Sequence, residues 1–470
     1  MTEESISQYK KGRHEKRDVR LKLTIQDISD AVGGRISGRT NKNSIVNSVF
    51  LDSREADINK NGLFVVIRGE HVDAHCFVKY VTAKGCYALI EDEDYFTDNC
   101  ILVDSTRQAL QKLAEWYRGT RLKKTKIIAV TGSVGKTTTK DMVALSVGVE
   151  LKTSKTRGNY NGQLGLPVTI LETDPETEVA VLEMGMSEPG EMERISRVTR
   201  ADIAIVTNIG FSHIESLGSR ENIGAEKLKV ADYMPKDGVL ILNGDEPILR
   251  NDGHPQRKVY CSVSDSSCDC YASDILERDE QTHFNAHIFG NIVPITLKTL
   301  GIHNVSNSLF ALASAYLLGV GMEKTAVALS CFETSGLRQR IYKKNNYTVI
   351  ADCYNASPES MQAALSVLAE QKGRKIAVLG DMLELGSFAP HLHEKVGQYV
   401  LESKTDILLT VGSLAKSIAI PCDGKIEVYS FEDGEYDKAA GKLRDILKDG
   451  DTILYKASNR MKLQKIIELV

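Results

Sequence analysis

The sequence lacks the features that would place the protein in a membrane, in a secretory pathway or on a nucleic acid. No run of about 18 apolar residues occurs in the 470-residue chain, so no membrane-spanning helix is predicted. The first 20 residues, MTEESISQYKKGRHEKRDVR, contain no apolar segment of the kind that a signal peptide requires. Lys and Arg number 59 against 63 Asp and Glu, which gives a net charge of -4 and no basic field for a nucleic acid. We therefore expect a cytoplasmic protein with no membrane and no nucleic acid among its partners.

Paired cysteines are also missing, although the chain contains nine cysteines. They are scattered, odd in number and include no CxxC pair, which argues against a disulfide framework and against a zinc site. The dinucleotide-binding pattern GxGxxG is absent as well, so nothing in the sequence predicts NAD. Ordinary thiols in a reducing compartment are the simplest interpretation of the cysteines.

The length and the composition predict a folded protein of about three domains. At roughly 150 residues per domain, 470 residues suffice for three separate cores, and 42% hydrophobic with 26% charged residues is ordinary for a globular chain. Apolar strands that end in glycine or polar turns alternate with helical segments, so the predicted class is α/β with parallel sheets. The predicted parts are a flexible arm (1–20), a small α/β domain (21–123), a central domain (124–335) and a Rossmann-like C-terminal domain (336–470).

Two segments of the central domain depart from simple strand–helix alternation. Residues 259–297 read as short alternating strands with polar turns, which indicates a β excursion. The following segment, 304–318, is the most apolar in the chain but too short to span a bilayer, so a core helix is predicted.

The strongest motif is TGSVGKTTT, which follows the apolar run Ile127-Ile128-Ala129-Val130. A buried strand that leads through a glycine turn into a helix start exposes backbone N–H groups, which together with the helix dipole favour phosphate oxygens. Lys136 would then reach the β- and γ-phosphates, and the Thr137 hydroxyl would ligate Mg²⁺. Glycines that merely turn the chain would explain neither the lysine nor the threonines. The motif is the short form GxxGKT, because Val130 stands where a strict Walker A sequence has its first glycine.

Two further strands of the same domain end in groups able to bind a metal. Glu183 follows the run 179–182, and His213 lies just beyond the run 203–206. Ligands of open α/β sheets bind at the carboxyl ends of the strands, so a P-loop in the same sheet makes Glu183 a candidate Mg²⁺ ligand rather than a solvated turn residue. His213 is a candidate metal or phosphate contact. Lys227, in contrast, reads from the sequence alone as an exposed helix lysine.

Six segments, in their order along the chain, resemble the Mur ligase family: TGSVGKTTTKDM, GNYNGQLGLPVTIL, VLEMGMSEPGEM, TNIGFSHIESLGS, DCYNASPESMQAAL and LGDMLELGSFAPHLH. The likeness runs from about Asp52 to the C-terminus. It implies a UDP-substrate domain, a central ATPase domain and a C-terminal Rossmann-like domain. It also implies an ATP-dependent amide ligase, and the last two segments resemble the member that joins D-alanyl-D-alanine to UDP-N-acetylmuramoyl-tripeptide through an acyl phosphate. The implied protein is a monomer whose partners are these small molecules.

The resemblance also implies roles for individual residues. Catalytic roles fall to Lys136, Glu183, His213 and Lys227, the last as a carbamate, and Mg²⁺ ligands are Thr137, Glu183, His213 and Lys227. ATP contacts are Gly132, Ser133, Val134, Gly135, Lys136, Thr137, Thr138, His303, Asn304, Asn307, Arg338 and Asp352. Contacts to the other substrates are Ser53, Arg54, Asn159, Asn161, Tyr354 and Asn355.

Five positions depart from the family pattern, namely Ala74, Gly162, Lys229, Ala457 and Asn459. Ala457 stands where the family has glycine, and this matters wherever a positive φ is needed. Asn459 removes a positive charge that Arg460 would have to supply from the next position. Two alternatives therefore stay open beside the ligase, a paralogue that uses another amine acceptor and a non-catalytic protein that binds a nucleotide sugar.

Overall fold

The computed structural model describes residues 21–334 and 336–470, so the predicted arm at 1–20 lies outside the described residues. The chain forms two compact units. One unit extends to Thr125 and includes 157–177, and the other contains 126–156 and 178–470. Residues 157–177 thus group with the first unit, although the sequence pattern placed them in the central domain. The boundaries at 123/124 and 335/336 remain predictions.

The first unit is built on a small, mostly parallel sheet. The strands among the unit's described residues are β1 (Leu23–Thr24), β2 (Arg35–Ile36), β3 (Ile45–Val46), β4 (Val49–Phe50), β5 (Leu63–Val65), β6 (Tyr87–Ile90) and β7 (Cys100–Leu102), and the sheet contains all of these except β1 and β3. Strands β4 to β7 are parallel, β2 adds to β7 antiparallel, and β1 pairs separately with β3. The helices are Ile25–Val32, Val78–Ala83, Thr106–Thr120 and Gly165–Leu171, with 3₁₀ turns at Ser53–Glu55, Ala74–Phe77 and Glu93–Tyr95.

Both ends of the first helix are fixed by capping residues. Thr24 caps the helix Ile25–Val32 in a reciprocal capping box with Asp27, and Gly33 ends it at φ +70°. The apolar face of this helix is fully buried at Ile25 and Ile28, which fixes it against the unit's core.

The second unit contains the central nine-stranded sheet, in the order β16-β15-β14-β13-β12-β11-β8-β10-β9. Its strands are β8 (Lys126–Thr131), β9 (Thr153–Lys155), β10 (Val179–Glu183), β11 (Ile203–Val206), β12 (Val239–Asn243), β13 (Arg257–Ser262), β14 (Cys270–Arg278), β15 (Gln281–Ile288) and β16 (Asn291–Leu297). Strands β8 to β13 pair in parallel, and β14, β15 and β16 pair antiparallel with one another. The predicted β excursion is therefore present at the far side of this sheet.

Helices cover both faces of the central sheet, whose parallel strands are buried. They are Lys136–Val147, Glu191–Thr199, Ile214–Leu217, Arg220–Leu228, Pro247–Arg250, Ile302–Leu317 and Met322–Ser330, with a 3₁₀ turn at Lys229–Ala231. The apolar helix Ile302–Leu317 lies in the hydrophobic core beside Lys136–Val147, which confirms the prediction of a core helix.

A six-stranded sheet completes the second unit, in the order β17-β18-β22-β19-β20-β21. Its strands are β17 (Arg340–Lys344), β18 (Tyr347–Asp352), β19 (Lys375–Gly380), β20 (Ile407–Val411), β21 (Glu427–Phe431) and β22 (Thr452–Lys456). All pairs are parallel except the β17–β18 hairpin. Its helices are Pro358–Ala369, Ala389–Glu402, Lys416–Ala419, Tyr436–Ile446 and Gln464–Leu469, with 3₁₀ turns at Gly386–Phe388, Ile420–Cys422 and Asn459–Met461.

In the sequence, the runs 348–351, 375–379, 406–411 and 452–456 predict the four inner strands of this sheet, but no run predicts either edge strand. β17 and β21 each carry exposed polar residues on a half-buried ribbon, so they lack the continuous apolar run that marks a buried parallel strand. Across the described residues of both units, none of the helices combines the length and the apolar character needed to cross a bilayer.

Candidate active site

The glycine turn between β8 and the helix Lys136–Val147 has the backbone of a phosphate-binding loop. Gly132 and Gly135 have φ values of +145° and +84°. A Cβ on Gly132 would lie 1.9 Å from the Thr207 Oγ1 atom, and one on Gly135 would lie 2.9 Å from Asn307 Oδ1. Both positions therefore need glycine for its conformation and for the close approach of a neighbour. The turn leads directly into the N-terminus of a 12-residue helix, where the first backbone N–H groups have no partner inside the helix.

A second loop, from the end of the neighbouring strand β11, holds this turn in place. The Asn208 carbonyl accepts a bond from Ser133 N (3.1 Å), and Asn208 Oδ1 accepts one from Val134 N (2.8 Å). Thr207 Oγ1 donates to the Val134 carbonyl at 2.6 Å, and Gly210 N donates to Ser133 Oγ at 2.8 Å. The sequence analysis missed Asn208, although a polar residue at the end of the adjacent strand was a usable signal.

Lys136, Thr137 and Glu183 meet at the carboxyl edge of the central sheet. Lys136 Nζ donates to the carbonyl of Gly132 at 2.7 Å, so the side chain folds back over the loop. Thr137 Oγ1 donates to Glu183 Oε2 at 2.9 Å, which joins the predicted metal-binding oxygens of β10 and the helix. Burial lowers the pKa of Lys136, the Glu183 carboxylate opposes that shift, and the charge of Arg338 adds to it.

Lys140 is a member of this cluster that the sequence analysis missed. Its Nζ atom lies 3.7 Å from Glu183 Oε2 and donates to the Thr156 carbonyl at 3.0 Å, and the residue is buried. Because it stands four residues after Lys136, it lies on the same face of the helix, one turn further on. That spacing was the available signal.

Lys227 is buried rather than exposed, which corrects the interpretation made from the sequence alone. It lies on the helix Arg220–Leu228 with 1% of its surface accessible. Within the described residues its ammonium makes neither a hydrogen bond nor an ion pair. Burial lowers the pKa of Lys227 well below its usual value, the charge of Lys136 adds to that shift, and Glu226 opposes it. Such surroundings disfavour the charged form of the amine.

His213 lies beyond β11, as predicted, in a left-handed conformation with φ +65°. Its Nδ1 atom is 2.7 Å from Glu384 Oε2, a residue of the loop after β19. The hydrogen bond from His213 lowers the pKa of Glu384. Glu384 was not singled out from the sequence. The histidine's role as a metal ligand remains a prediction, and no group of three or more His, Cys, Asp or Glu side chains in the described ranges is arranged to hold a metal ion.

Two of the predicted ATP contacts, His303 and Asn304, meet at Gln339, which the sequence did not indicate. Gln339 Oε1 lies 3.0 Å from both His303 Nε2 and Asn304 Nδ2. Burial lowers the pKa of His303, so the ring is neutral. Asn307 instead contacts the P-loop helix, because its Oδ1 atom accepts a bond from Thr139 Oγ1 at 2.9 Å.

The residues predicted in the C-terminal domain form two neighbouring pairs. The Arg338 guanidinium lies over the Tyr354 ring, 3.5 Å from its centroid. Asp352, at the end of β18, accepts a bond from Lys456 Nζ at 2.6 Å, and the same Nζ donates to the Asn355 carbonyl at 2.9 Å. The Asn355 side chain is exposed.

The predicted contacts to the UDP-linked substrate lie in the first unit. Ser53 and Arg54 belong to a 3₁₀ turn capped by Asp52, whose carboxylate binds the Arg54 Nε–H at 2.9 Å. The hydrogen bonds from Arg54 lower the pKa of Asp52 to about 2. Asn159 and Asn161 lie on the segment that groups with this unit, in a turn where Asn161 N donates to the Asn159 carbonyl at 2.8 Å.

The structure accommodates four of the five departures locally. Ala457 has no positive φ, so the conformation that would require glycine does not occur at this position. Gly162 borders open space, since a Cβ added at this position would have no atom within 4 Å. Lys229 pairs with Glu226 at 2.8 Å, and Ala74 begins a 3₁₀ turn without strain. Asn459 also begins a 3₁₀ turn, and nothing in the structure explains its substitution.

The P-loop on a parallel sheet, with a threonine–carboxylate pair at its edge, defines an α/β nucleotide-binding protein. Comparison with known proteins gives the family. The family model of the Mur ligase middle domain matches residues 130–315, and that of the Mur ligase, glutamate ligase domain matches 338–459. The chain is 37% identical over 462 residues to the UDP-N-acetylmuramoyl-tripeptide–D-alanyl-D-alanine ligase of Bacillus subtilis (strain 168), covering 95% of this chain and 98% of that one.

Solved structures agree with this assignment. MurF from Acinetobacter baumannii superposes with a TM-score of 0.87 at 28% identity, covering 95% of this chain and 98% of that one. MurF ligase from Thermotoga maritima in complex with ADP gives 0.81 at 27% identity, covering 90% and 96%. This chain belongs to the Mur ligase family.

Proposed function

We propose that this chain is an ATP-dependent ligase that joins D-alanyl-D-alanine to UDP-N-acetylmuramoyl-tripeptide in peptidoglycan precursor synthesis. The observation that carries the proposal is the cluster at the edge of the central sheet. There, the glycine loop, Lys136 and the 2.9 Å Thr137–Glu183 contact lie together. A protein that only bound a nucleotide sugar would have no use for a site built for a γ-phosphate and its metal. The full-length similarity to ligases of this name supports the same substrates.

The proposed reaction has two steps. The terminal carboxylate of the tripeptide takes the γ-phosphoryl group of ATP, which gives an acyl phosphate and ADP, because a free carboxylate is inert to amines. The amine of D-alanyl-D-alanine then attacks the acyl carbon, forms the amide, loses a proton and releases phosphate. In phosphoryl transfer the protein acts mainly by positioning and charge neutralisation. Those tasks fall to the P-loop N–H groups and to Lys136, whose ammonium would turn from the Gly132 carbonyl to the phosphates.

Thr137 and Glu183 are the residues that would hold Mg²⁺. A hydroxyl and a carboxylate oxygen in contact suit this ion, which binds to proteins through one or two oxygen ligands and completes its shell with water and phosphate oxygens. When bound, Mg²⁺ would neutralise charge on the transferred phosphoryl group. The proposal also gives His213 a metal or phosphate contact, with Glu384 fixing the orientation of its ring.

The remaining predicted contacts complete the proposal. His303, Asn304 and Arg338 would bind ATP, Tyr354 and Asn355 the dipeptide, and the first unit the UDP-linked substrate through Ser53, Arg54, Asn159 and Asn161. The protein would work as a cytoplasmic monomer, as the family resemblance implies.

Lys227 fits the proposed carbamate. An amine reacts with CO₂ only in its neutral form, and burial without a counter-ion lowers the pKa of Lys227 in the required direction. The product would carry two oxygens and a negative charge close to Lys136. Carbon-13 NMR of the protein in labelled bicarbonate should show one carbamate signal, which should disappear in Lys227→Met. A spectrum that is the same in both proteins would exclude the carbamate.

The deciding experiment measures phosphate release from ATP and Mg²⁺ with UDP-N-acetylmuramoyl-tripeptide, with and without D-alanyl-D-alanine, and identifies the product by mass. Release that requires both substrates, with a pentapeptide product, supports the proposal. Replacing D-alanyl-D-alanine with other amines tests the paralogue with another acceptor. Folded protein that binds ATP and yields no amide with any amine would refute the ligase.

A further inference from the structure

The loop 209–213, which follows β11, contacts the P-loop on one side and the six-stranded sheet region on the other. Gly210 N donates to Ser133 Oγ at 2.8 Å, which joins the loop to the phosphate-binding turn. On its other side the same loop meets Glu359 and Lys395, which the sequence analysis did not single out, as well as Glu384. The loop is therefore a direct physical connection between the P-loop and the C-terminal helices.

Glu359 makes the most specific of these contacts. It lies in the first turn of the helix Pro358–Ala369, and its Oε1 atom accepts a hydrogen bond from Phe211 N at 2.9 Å. A Cβ on Gly210 would stand 2.4 to 2.7 Å from the three carboxyl atoms of Glu359. Gly210 does not have a positive φ, so the close approach of this carboxylate, and not backbone conformation, requires a glycine there.

The second carboxylate oxygen of Glu359 indicates that this side chain does not serve to stabilise the fold. Glu359 Oε2 is buried, and it has no hydrogen-bond partner in the part of the chain that the structure describes. A buried, unsatisfied carboxylate oxygen is unfavourable, and such groups in folded proteins usually have a functional explanation. The helix Pro358–Ala369 does not need this side chain as its cap, because Ser357 and Ser360 already form a capping box.

The ring of Phe211 is held as well as its backbone. The Arg220 guanidinium lies 5.6 Å from the ring centroid, and Lys395 Nζ, from the helix Ala389–Glu402, lies 5.7 Å from it. Arg220 is itself fixed by the Ile209 carbonyl (2.6 Å) and by Glu246 (3.0 Å). Cations within about 6 Å of an aromatic ring are attracted to its face, so Phe211 is held by a helix that covers the central sheet and by a helix of the six-stranded sheet region.

We infer that Glu359 is a positioning residue for the proposed phosphoryl transfer. By holding Phe211 N it fixes Gly210, and through Ser133 it fixes the P-loop. The geometry of the phosphate site therefore depends on whether the six-stranded sheet region is seated against the loop. The inference rests on the proposed function for its kinetic consequence, but the contact itself can be tested without turnover.

The kinetic test uses Glu359→Ala and Glu359→Gln. Loss of a hydrogen bond to a charged group should lower kcat about tenfold in Glu359→Ala, while the KM for the UDP-linked substrate changes less than about twofold. Glutamine keeps an oxygen that can accept the Phe211 N–H, so Glu359→Gln should retain most of the activity. Glu370→Ala is the matched control, because Glu370 is exposed and caps the other end of the same helix. Wild-type kcat in Glu359→Ala would overturn the inference.

A double-mutant cycle separates positioning from general destabilisation. Gly210→Ala should lower kcat because its methyl group displaces the carboxylate. In the Glu359→Ala background that clash is gone, so the second substitution should add less than about twofold. Two losses that multiply would overturn the inference. Gly210→Ala also disturbs the contact from the opposite side, which keeps the test decisive should Glu359→Ala fail to fold.

Hydrogen exchange tests the contact independently of catalysis. The amide of Phe211 should exchange at least about tenfold faster in Glu359→Ala than in the wild type or in Glu370→Ala, because its acceptor is lost. If the wild-type protein makes no pentapeptide, the proposed function fails while this comparison still stands. Unchanged exchange at Phe211 would overturn the inference even in an active ligase.

Discussion

The two large sheets of the second unit place charged residues at the same kind of edge and use them in opposite ways. At the central sheet, burial lowers the pKa of both Lys136 and Lys227, and a neighbouring positive charge adds to each shift, that of Arg338 at Lys136 and that of Lys136 at Lys227. At the six-stranded sheet, opposite charges neutralise each other, since Lys456 is bound to Asp352 at 2.6 Å. Neighbouring positive charges are unfavourable unless an anion binds between them. A lysine that is already paired with a carboxylate needs no bound anion. The comparison indicates that one edge is built for binding and the other for support.

The largest expected effect concerns the binding edge. Lys136→Ala should lower turnover by about a thousandfold or more, because it removes the positive charge nearest to the transferred phosphoryl group. Binding of the UDP-linked substrate should stay nearly unchanged, since the predicted contacts to that substrate lie in the first unit. Phosphate release measures the loss of turnover, and a direct binding measurement tests the affinity for the UDP-linked substrate. Lys324→Ala, an exposed lysine paired with Glu150, is the control. Near-normal turnover in Lys136→Ala would refute the assignment of the phosphate site to this loop.

The next effect compares two buried lysines through their influence on stability. Lys456→Met should lower the free energy of unfolding by about 3 kcal/mol, because it leaves Asp352 without its counter-ion. Lys227→Met should cost little or even stabilise the fold, since within the described residues this ammonium has no partner to lose. Urea unfolding of both variants without nucleotide or metal measures the difference. Equal losses would mean that Lys227 is paired like Lys456 and that the comparison fails.

A smaller effect compares one glycine from each edge. Gly132→Ala places a Cβ 1.9 Å from Thr207 Oγ1, and Gly412→Ala places one 2.3 Å from Asp381 Oδ1, each at a positive φ. Both should lower the free energy of unfolding by about 1 to 3 kcal/mol. Only Gly132→Ala should also weaken ADP binding, by about tenfold, because it deforms the P-loop. Calorimetric titration with ADP tests this, and equal loss of affinity in both variants would contradict the division of roles.

The sequence predicted the elements whose signal is local. The P-loop, Glu183 at the end of β10 and the core helix Ile302–Leu317 follow from strand–turn–helix order and apolar runs. In contrast, the contacts made by Gln339, Glu359 and Glu384 join segments far apart in the chain, and no local pattern marks them.

The burial of Lys227 is another feature that the local sequence does not predict. A lysine on a helix reads as exposed, and only the packing around Arg220–Leu228 buries it. The edge strands β17 and β21 were missed because half-buried, charged ribbons lack a continuous apolar run. Local chemistry was therefore predictable from the sequence, and long-range partners were not.

The smallest expected effect is a pH dependence of opposite sign at two histidines, one packed near each sheet. His254 faces Asp252 and Asp232 with its two ring nitrogens, and the hydrogen bond to Asp252 raises the pKa of His254. His393 accepts a bond from Met382 N and donates one to the Ala389 carbonyl, so only the neutral ring satisfies both, and burial lowers its pKa. A raised folded-state pKa gives stability that is present below the unfolded value of 6.5 and lost as the pH rises through the folded pKa. A lowered folded-state pKa gives stability that is present above 6.5 and lost as the pH falls through the folded pKa.

The stability lost in His254→Gln should therefore be larger at pH 5.5 than at pH 8. The stability lost in His393→Gln should be larger at pH 8, and each difference should be about 1 kcal/mol or less. Urea midpoints at the two pH values measure this, and differences of the same sign would show that the two histidines do not titrate as their partners require.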